Sequence, residues 1–276
     1  MSEILILFFG AIAAGLVGSL TGLGGGIIII PLLTLGFGVP MHYAIGASLI
    51  SVIGTSSGAA AAFVKEGFTN VRIGMFLEIA TTAGAIGGAL ISGLLDANTI
   101  GIIFAAILIL TVLLNLRDKP DHQEPLIAGS LEDKLQLHGT FPDNGVMKKY
   151  AARNTVSGFL MMSVAGVMSG LLGIGSGALK VLAMDNMMKL PFKVSTTTSN
   201  FMIGVTAVAS SLIYFQRGEI IPVIAAPVLV GVVAGSYIGS KTLMVSKTKK
   251  LKIIFAVVVS VLSAYMMYNG ISQNFR

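Results

Sequence analysis

Apolar runs close to 20 residues long recur throughout this 276-residue chain, and a helix of that length is what crossing ~30 Å of hydrocarbon requires. The rest of the composition agrees. Hydrophobic residues make up 54% of the chain and charged ones only 11%, where a soluble domain carries about 25% charge. A lipid bilayer is the one solvent that accepts so much aliphatic surface, so the chain reads as an all-α polytopic membrane protein. The formal charge of +6 needs no nucleic-acid partner, because Lys and Arg collect beside the cytoplasmic ends of spans. With no Cys and three scattered His, thiol chemistry, iron–sulfur clusters and His-based metal sites drop out, and no cofactor or metal is expected.

The chain is also duplicated. Shifted by 151 residues, Gly15–Leu114 aligns with Gly166–Tyr265 without a gap. Gly22, Gly24 and Gly26 fall on Gly173, Gly175 and Gly177; Pro40 falls on Pro191, Ser48 on Ser199 and Thr55 on Thr206; Gly84 and Gly88 fall on Gly235 and Gly239. Apolar composition alone would not keep such punctuation in register, so residues 1–116 and 150–276 form two homologous transmembrane halves. Between them, residues 117–149 hold five basic and six acidic residues with three Pro, the make-up of a solvated linker. Within it Ser130-Leu-Glu-Asp133 predicts a short helix near Leu131–Leu137.

Each half contains an apolar arm, a glycine cluster, a second short arm and three candidate spans. The second arm of the first half, Ile27–Val39, offers 13 residues, too few to cross. Either it decorates a fully crossing first arm and the halves are parallel, or the two arms form a glycine-tipped hairpin and the halves are inverted repeats. The basic residues choose. The parallel scheme divides them ten to eight, whereas the inverted scheme puts fifteen on the side of the central loop, two opposite, and Lys180 near a hairpin tip. The second distribution is the positive-inside pattern. Each half therefore reads as a glycine-tipped hairpin plus three transmembrane helices. Both termini lie outside the cytoplasmic membrane, and the loops around Gly67, Gly145 and Ser246 lie in the cytoplasm. Met1–Gly15 lacks the basic n-region of a signal peptide and reads as a retained first arm.

Non-helical backbone at bilayer depth survives only where protein or a water-filled cavity covers it. The clusters Gly22-Leu-Gly24-Gly25-Gly26 and Gly173-Ile-Gly175-Ser176-Gly177 should thus meet inside the protein, where glycine lets a ligand approach the backbone and helix starts attract anions. Gly84, Gly87, Gly88, Gly235 and Gly239 read instead as close helix packing. Lys180, in the first turn after Gly177, either helps to hold an anion or snorkels to the interface. Ser48, Ser199 and Asn200 are candidate ligands for an oxyanion, the competing reading being hydrogen bonds to their own helix. Glu78, about 12 Å into its span at 1.5 Å per residue, is either a proton-coupling carboxylate or half of a structural ion pair. His42 reads as interfacial.

At these clusters the sequence resembles the sulfite exporter TauE/SafE family. The resemblance rests on Gly15-Leu-Val-Gly-Ser-Leu-Thr-Gly-Leu-Gly-Gly-Gly26 with Pro31, on Gly46-Ala-Ser48, and on the repeat copies at Gly170–Gly177 and Thr197–Asn200. It implies a cytoplasmic-membrane transporter of sulfite, organosulfonates or related anions, driven by the proton motive force. Cysteine-dependent thiosulfate import is excluded by composition. The expected function is secondary active transport of a small anion by alternating access. The alternatives are a passive anion channel built on the same site, a membrane enzyme, for which no catalytic motif is present, and a scaffold subunit. The expected partners are the anion and the bilayer, and a homodimer is compatible with the reading.

Overall fold

The computed structural model describes residues 2–21, 24–63, 68–115, 131–143, 146–245, 248–272 and 275. Among them the first half comprises α1 (Ser2–Thr21), α2 (Gly26–Pro31), α3 (Met41–Phe63), α4 (Val71–Ser92) and α5 (Ala97–Asn115). The linker carries α6 (Leu131–Lys134) and the strands β1 (His138–Asp143) and β2 (Val146–Ala151). The second half repeats the first with α7 (Thr155–Leu172), α8 (Gly177–Leu182), α9 (Phe192–Gln216), α10 (Pro222–Val245) and α11 (Thr248–Ile271). Both first arms break at the glycine clusters. Each short second arm then continues as one π-helical turn, Leu32–Gly36 after α2 and Ala183–Met187 after α8. Eleven residues span about 16 Å, half of the hydrocarbon thickness.

Among the described residues, four helices are long and apolar enough to cross a membrane: Val71–Ser92, Thr155–Leu172, Phe192–Gln216 and Pro222–Lys241. Their lipid-compatible faces expose Met75, Ile79, Leu160, Leu212, Phe215 and Val223, which a water-facing helix would place inside.

Glycine determines how these helices pack. A β-carbon on Gly15 would collide with the Val232 backbone, and one on Gly166 with the Thr81 backbone. Gly235 abuts the Ile12 carbonyl and Gly84 the Ser163 carbonyl; Gly239 meets Leu16, and Gly88 meets Val167. Each contact has its counterpart 151 positions away, so α1 lies on α10 as α4 lies on α7, and each half buries its first arm against the other half. Gly87 departs from the packing expectation, since nothing lies within 4 Å of the position a β-carbon would take.

Helices α3 and α9, which occupy equivalent places in the two halves, run antiparallel. Gly46 near the start of α3 approaches Glu219 beyond the end of α9, whereas Ser56 further along donates to the Asn200 carbonyl at 2.6 Å. The ends of the bundle sort accordingly. At one end Tyr214 donates to Ser92 at 2.7 Å, Arg217 donates to the Leu90 carbonyl at 3.1 Å, and His42 Nε2 lies 3.3 Å from the Ser92 carbonyl. At the opposite end Asn70 caps α4 by accepting from the Ile73 N–H, and its own N–H donates to Thr198 near the start of α9.

The linker departs from expectation in two ways. The predicted helix at 131–137 is confined to Leu131–Lys134, and an antiparallel hairpin follows that pairs His138 with Ala151 and Phe141 with Lys148. The described fold is therefore not wholly α. Tyr150, where the sequence places the start of the second transmembrane half, belongs to β2, and helix begins only at Thr155. Phe141 and Tyr150 are buried, and with Leu137 they join Ile73, Leu77, Met188 and Leu190 in one apolar cluster. Reading the segment by its charge content hid that strand-period pairing. The loops around Gly67, Gly145 and Ser246 lie outside the described residues.

Candidate functional site

The two glycine turns meet in the interior. Gly24, Gly173 and Gly175 have φ of +78°, +66° and +69°, a region that glycine enters without a steric penalty. Gly25 and Gly26 start α2, and a β-carbon on Gly26 would lie 2.9 Å from the Gly173 carbonyl oxygen, so a side chain there would push the turns apart. Val52 of α3 and Ile203 of α9, equivalent in the repeat, both line Gly24 and Gly175. Gly22 lies outside the described residues.

The polar side chains expected to face a ligand divide in two. Ser48 donates to the Gly173 carbonyl at 2.7 Å and Ser199 to the Gly177 carbonyl at 3.2 Å, so both fasten α3 and α9 to the second turn. Asn200 donates through Nδ2 to the Ser19 carbonyl at 3.3 Å, while its Oδ1 is buried without a hydrogen-bond partner. The hydroxyls of Ser176, Ser195 and Thr196 are likewise buried and unpartnered. Ser176 holds φ of +45°, an uncommon backbone for a non-glycine residue, inside the turn itself. Buried polar atoms are nearly always satisfied, so each of these hydroxyls is open to a further hydrogen-bond partner.

Sequence reasoning treated Lys180 and Glu78 separately, and the structure joins them. The Lys180 side chain is fully buried, so the snorkelling alternative does not describe it. Its ammonium donates to Thr206 Oγ1 and lies 3.7 Å from Glu78 Oε2. Thr206 in turn donates to Glu78 Oε1 at 2.5 Å, and Thr82 supplies a second donor to the same oxygen at 3.1 Å. Glu78 Oε2 accepts no hydrogen bond and is held by the ion pair alone.

Helix α8 places this ammonium because side chains lean toward the start of their helix, here toward the glycine turn. The Lys180 N–H donates to the Ser176 carbonyl at 3.0 Å, so Lys180 stands one helical turn after Ser176. Glu78 comes from α4 of the other half. Of the two readings of Glu78, its contact is an ion pair, made with Lys180 rather than with a basic residue near the span ends. A buried charge is costly unless paired, and Lys180 and Glu78 pair across the two halves. Thr206 was missed as a site residue. Its repeat equivalence to Thr55 was visible in the sequence, but its place between two charges was not. The equivalent positions in the first half are Ile29, Leu229 and Thr55, so only one of the two related places carries charge.

The site lies below the linker hairpin. Tyr150 accepts from Asn70 Nδ2 at 2.9 Å, and burial pushes its phenol up from the ordinary value, with the Asn70 hydrogen bond opposing. Arg72 pairs with Gln136 at the same end.

The TauE profile, described as sulfite exporter TauE/SafE, matches residues 7–266. The chain is 29% identical over 282 aligned positions to "Probable membrane transporter protein YunE" of Bacillus subtilis, covering 98% of this chain and 99% of that protein. It is 29% identical to "Probable membrane transporter protein YdhB" of the same organism, covering 87% and 89%. A "Probable membrane transporter protein" of Xylella fastidiosa is 25% identical, covering 94% of each chain. No solved structure matches the chain.

Proposed function

The chain belongs to the sulfite exporter TauE/SafE family of membrane transporters, and from that premise we propose that it is a secondary active transporter moving a small sulfur or carboxylate anion across the cytoplasmic membrane. The observation that carries this reading is the Lys180–Thr206–Glu78 chain, buried beside two glycine turns and shared between the halves. Ionisable side chains inside a membrane bundle are expensive and are retained for transport chemistry. Beside them, in the glycine turn that precedes Lys180, the unused hydroxyl of Ser176 offers a donor that could replace water about an oxyanion.

In this reading the halves are inverted repeats, and the antiparallel run of α3 against α9 supports it. Equivalent helices pointing in opposite directions require a two-fold axis across the helices, which in a bilayer lies in the membrane plane. The end bearing Arg72, Lys148, Lys149, Arg153, Lys189 and Lys193 faces the cytoplasm, with the termini outside. Rocking one half against the other around the glycine turns would open the site alternately to each side.

A thermal-shift panel of sulfite, sulfate, thiosulfate, methanesulfonate and small carboxylates tests the site. At least one anion should stabilise the protein, and none should stabilise Lys180→Met, since a ligand at 100 times its Kd contributes about 2.7 kcal/mol. Uptake into proteoliposomes against an anion gradient, driven by a pH gradient, separates a transporter from a passive channel, which cannot accumulate its ion.

A further inference from the structure

We propose that the Glu78 carboxylate occupies the place of the substrate's own anionic group. An incoming monoanion replaces it on Lys180 and Thr206, and Glu78 takes up a proton as it is displaced, so that one anion and one proton cross together without net charge. This rests on the anion site proposed above and supplies its substrate class and stoichiometry.

The first argument is charge balance. Lys180 is fully buried, and its polar side-chain partners are Thr206 and Glu78. A second anion entering while Glu78 stayed ionised would leave a net negative charge at depth, a state the low dielectric penalises heavily. With Glu78 ionised and no anion the sum is zero, and with Glu78 protonated and a monoanion on Lys180 it is again zero. The surroundings add nothing to this sum. Helix α7, packed against α4, carries no titratable side chain. On α4 itself Arg72 lies six residues from Glu78, about 9 Å along the helix, at the exposed end. On α9, Lys193 is 13 residues before Thr206 and Tyr214 eight after it, about 20 and 12 Å away. Asp185 lies in the π-helical turn beyond α8 and has an interaction partner of its own.

The second argument is how unevenly Glu78 is held, with Thr206 and Thr82 both donating to Oε1 and neither to Oε2. Lys180 is in hydrogen-bond contact with Thr206 yet 3.7 Å from the carboxylate, beyond hydrogen-bond range, and Glu78 Oε2 receives no donor. A carboxylate fixed purely for structure would be expected to use its four acceptor sites more fully. The donor that could complete an oxyanion's shell, the Ser176 hydroxyl, stands unused one turn from Lys180.

The third consequence is selectivity. Protonating one carboxylate balances one negative charge, so carboxylates, sulfonates and bisulfite fit, and a dianion such as sulfate leaves the site with a net charge. Net direction then follows the sum of the anion and proton gradients, and export occurs when the outward anion gradient is the steeper.

The test uses the full chain in lipid nanodiscs with labelled methanesulfonate, which stays a monoanion between pH 5 and 8, so that any pH dependence belongs to the protein. Affinity should fall with rising pH by up to about tenfold per unit, the limit for one proton bound per anion. Sulfate should not compete. A pH dye in weak buffer should report one proton taken up per anion bound by the wild-type protein, a readout that needs no variant. Glu78→Gln should bind methanesulfonate with a flat pH profile and should be thermally stabilised by it at pH 8, where the wild type is not. Binding that is pH-independent in the wild type, with no proton uptake, overturns the exchange while leaving the anion site standing. Absence of binding of methanesulfonate, acetate and bisulfite by both proteins at every pH overturns the site and the exchange together.

Discussion

Lys180 and Glu78 come from different halves of the chain and meet with 3.7 Å between ammonium and carboxylate, bridged by the Thr206 hydroxyl. The pair therefore fastens α8 and α9 of the second half to α4 of the first at a depth where neither charge has water. Such a contact is a poor source of stability when intact, since desolvation offsets most of the attraction, yet it is costly to break from one side.

Lys180→Met and Glu78→Gln should each destabilise the protein by about 3–5 kcal/mol, because each leaves an uncompensated buried charge. The double variant should recover most of that loss, giving a coupling energy of opposite sign to the two single effects. Melting of the detergent-purified proteins measures it. Additive losses in the double variant would mean that the two side chains do not share one contact.

Gly88→Val should disrupt the α4–α7 contact, since its β-carbon would meet the Val167 carbonyl and backbone movement is needed to accept it. Overpacking of this kind costs about 1–3 kcal/mol or more. Gly87→Ala, one position away with nothing within 4 Å, should be neutral or stabilising by up to about 1 kcal/mol through helix propensity. Equal effects of the two substitutions in a stability assay would contradict the packing described.

Tyr214→Phe should cost about 1–3 kcal/mol. The phenol is fully buried, donates to Ser92 at 2.7 Å and lies 3.0 Å from the Gly170 carbonyl, so its loss strands polar groups on α4 and α7. Chemical denaturation compared with the wild type gives the value, and an unchanged midpoint would remove this link between the halves.

Single cysteines test the topology without background, because the native chain has no thiol. Leu94→Cys and Gln216→Cys, both at exposed positions near the end where Arg217 meets Leu90, should label with an impermeant maleimide from outside intact cells. Met147→Cys on the linker hairpin should label only after permeabilisation. Labelling of Leu94→Cys and Gln216→Cys from opposite faces would favour parallel halves.

The duplication and the apolar spans at 71–92, 192–216 and 222–241 could be read from residue type and spacing, because lipid imposes long apolar runs and a repeat preserves its glycines, whereas the span-length helix at 155–172 read as a hairpin arm. The breaks at Gly24 and Gly173–Gly175 were legible for the same reason, glycine being the residue that tolerates their positive φ. What the one-dimensional pattern did not carry was which faces meet. Glu78 and Lys180 are 102 positions apart in elements with no shared motif, and their repeat equivalents, Leu229 and Ile29, are apolar, so no symmetry signal linked them. Their meeting depends on α4 packing across the repeat boundary onto α7 and α9, a choice made by close glycine contacts in three dimensions. The linker hairpin was hidden in a similar way: Phe141 and Tyr150 are individually unremarkable within a charged segment, and only their shared burial against Ile73, Leu77 and Met188 makes strands of it.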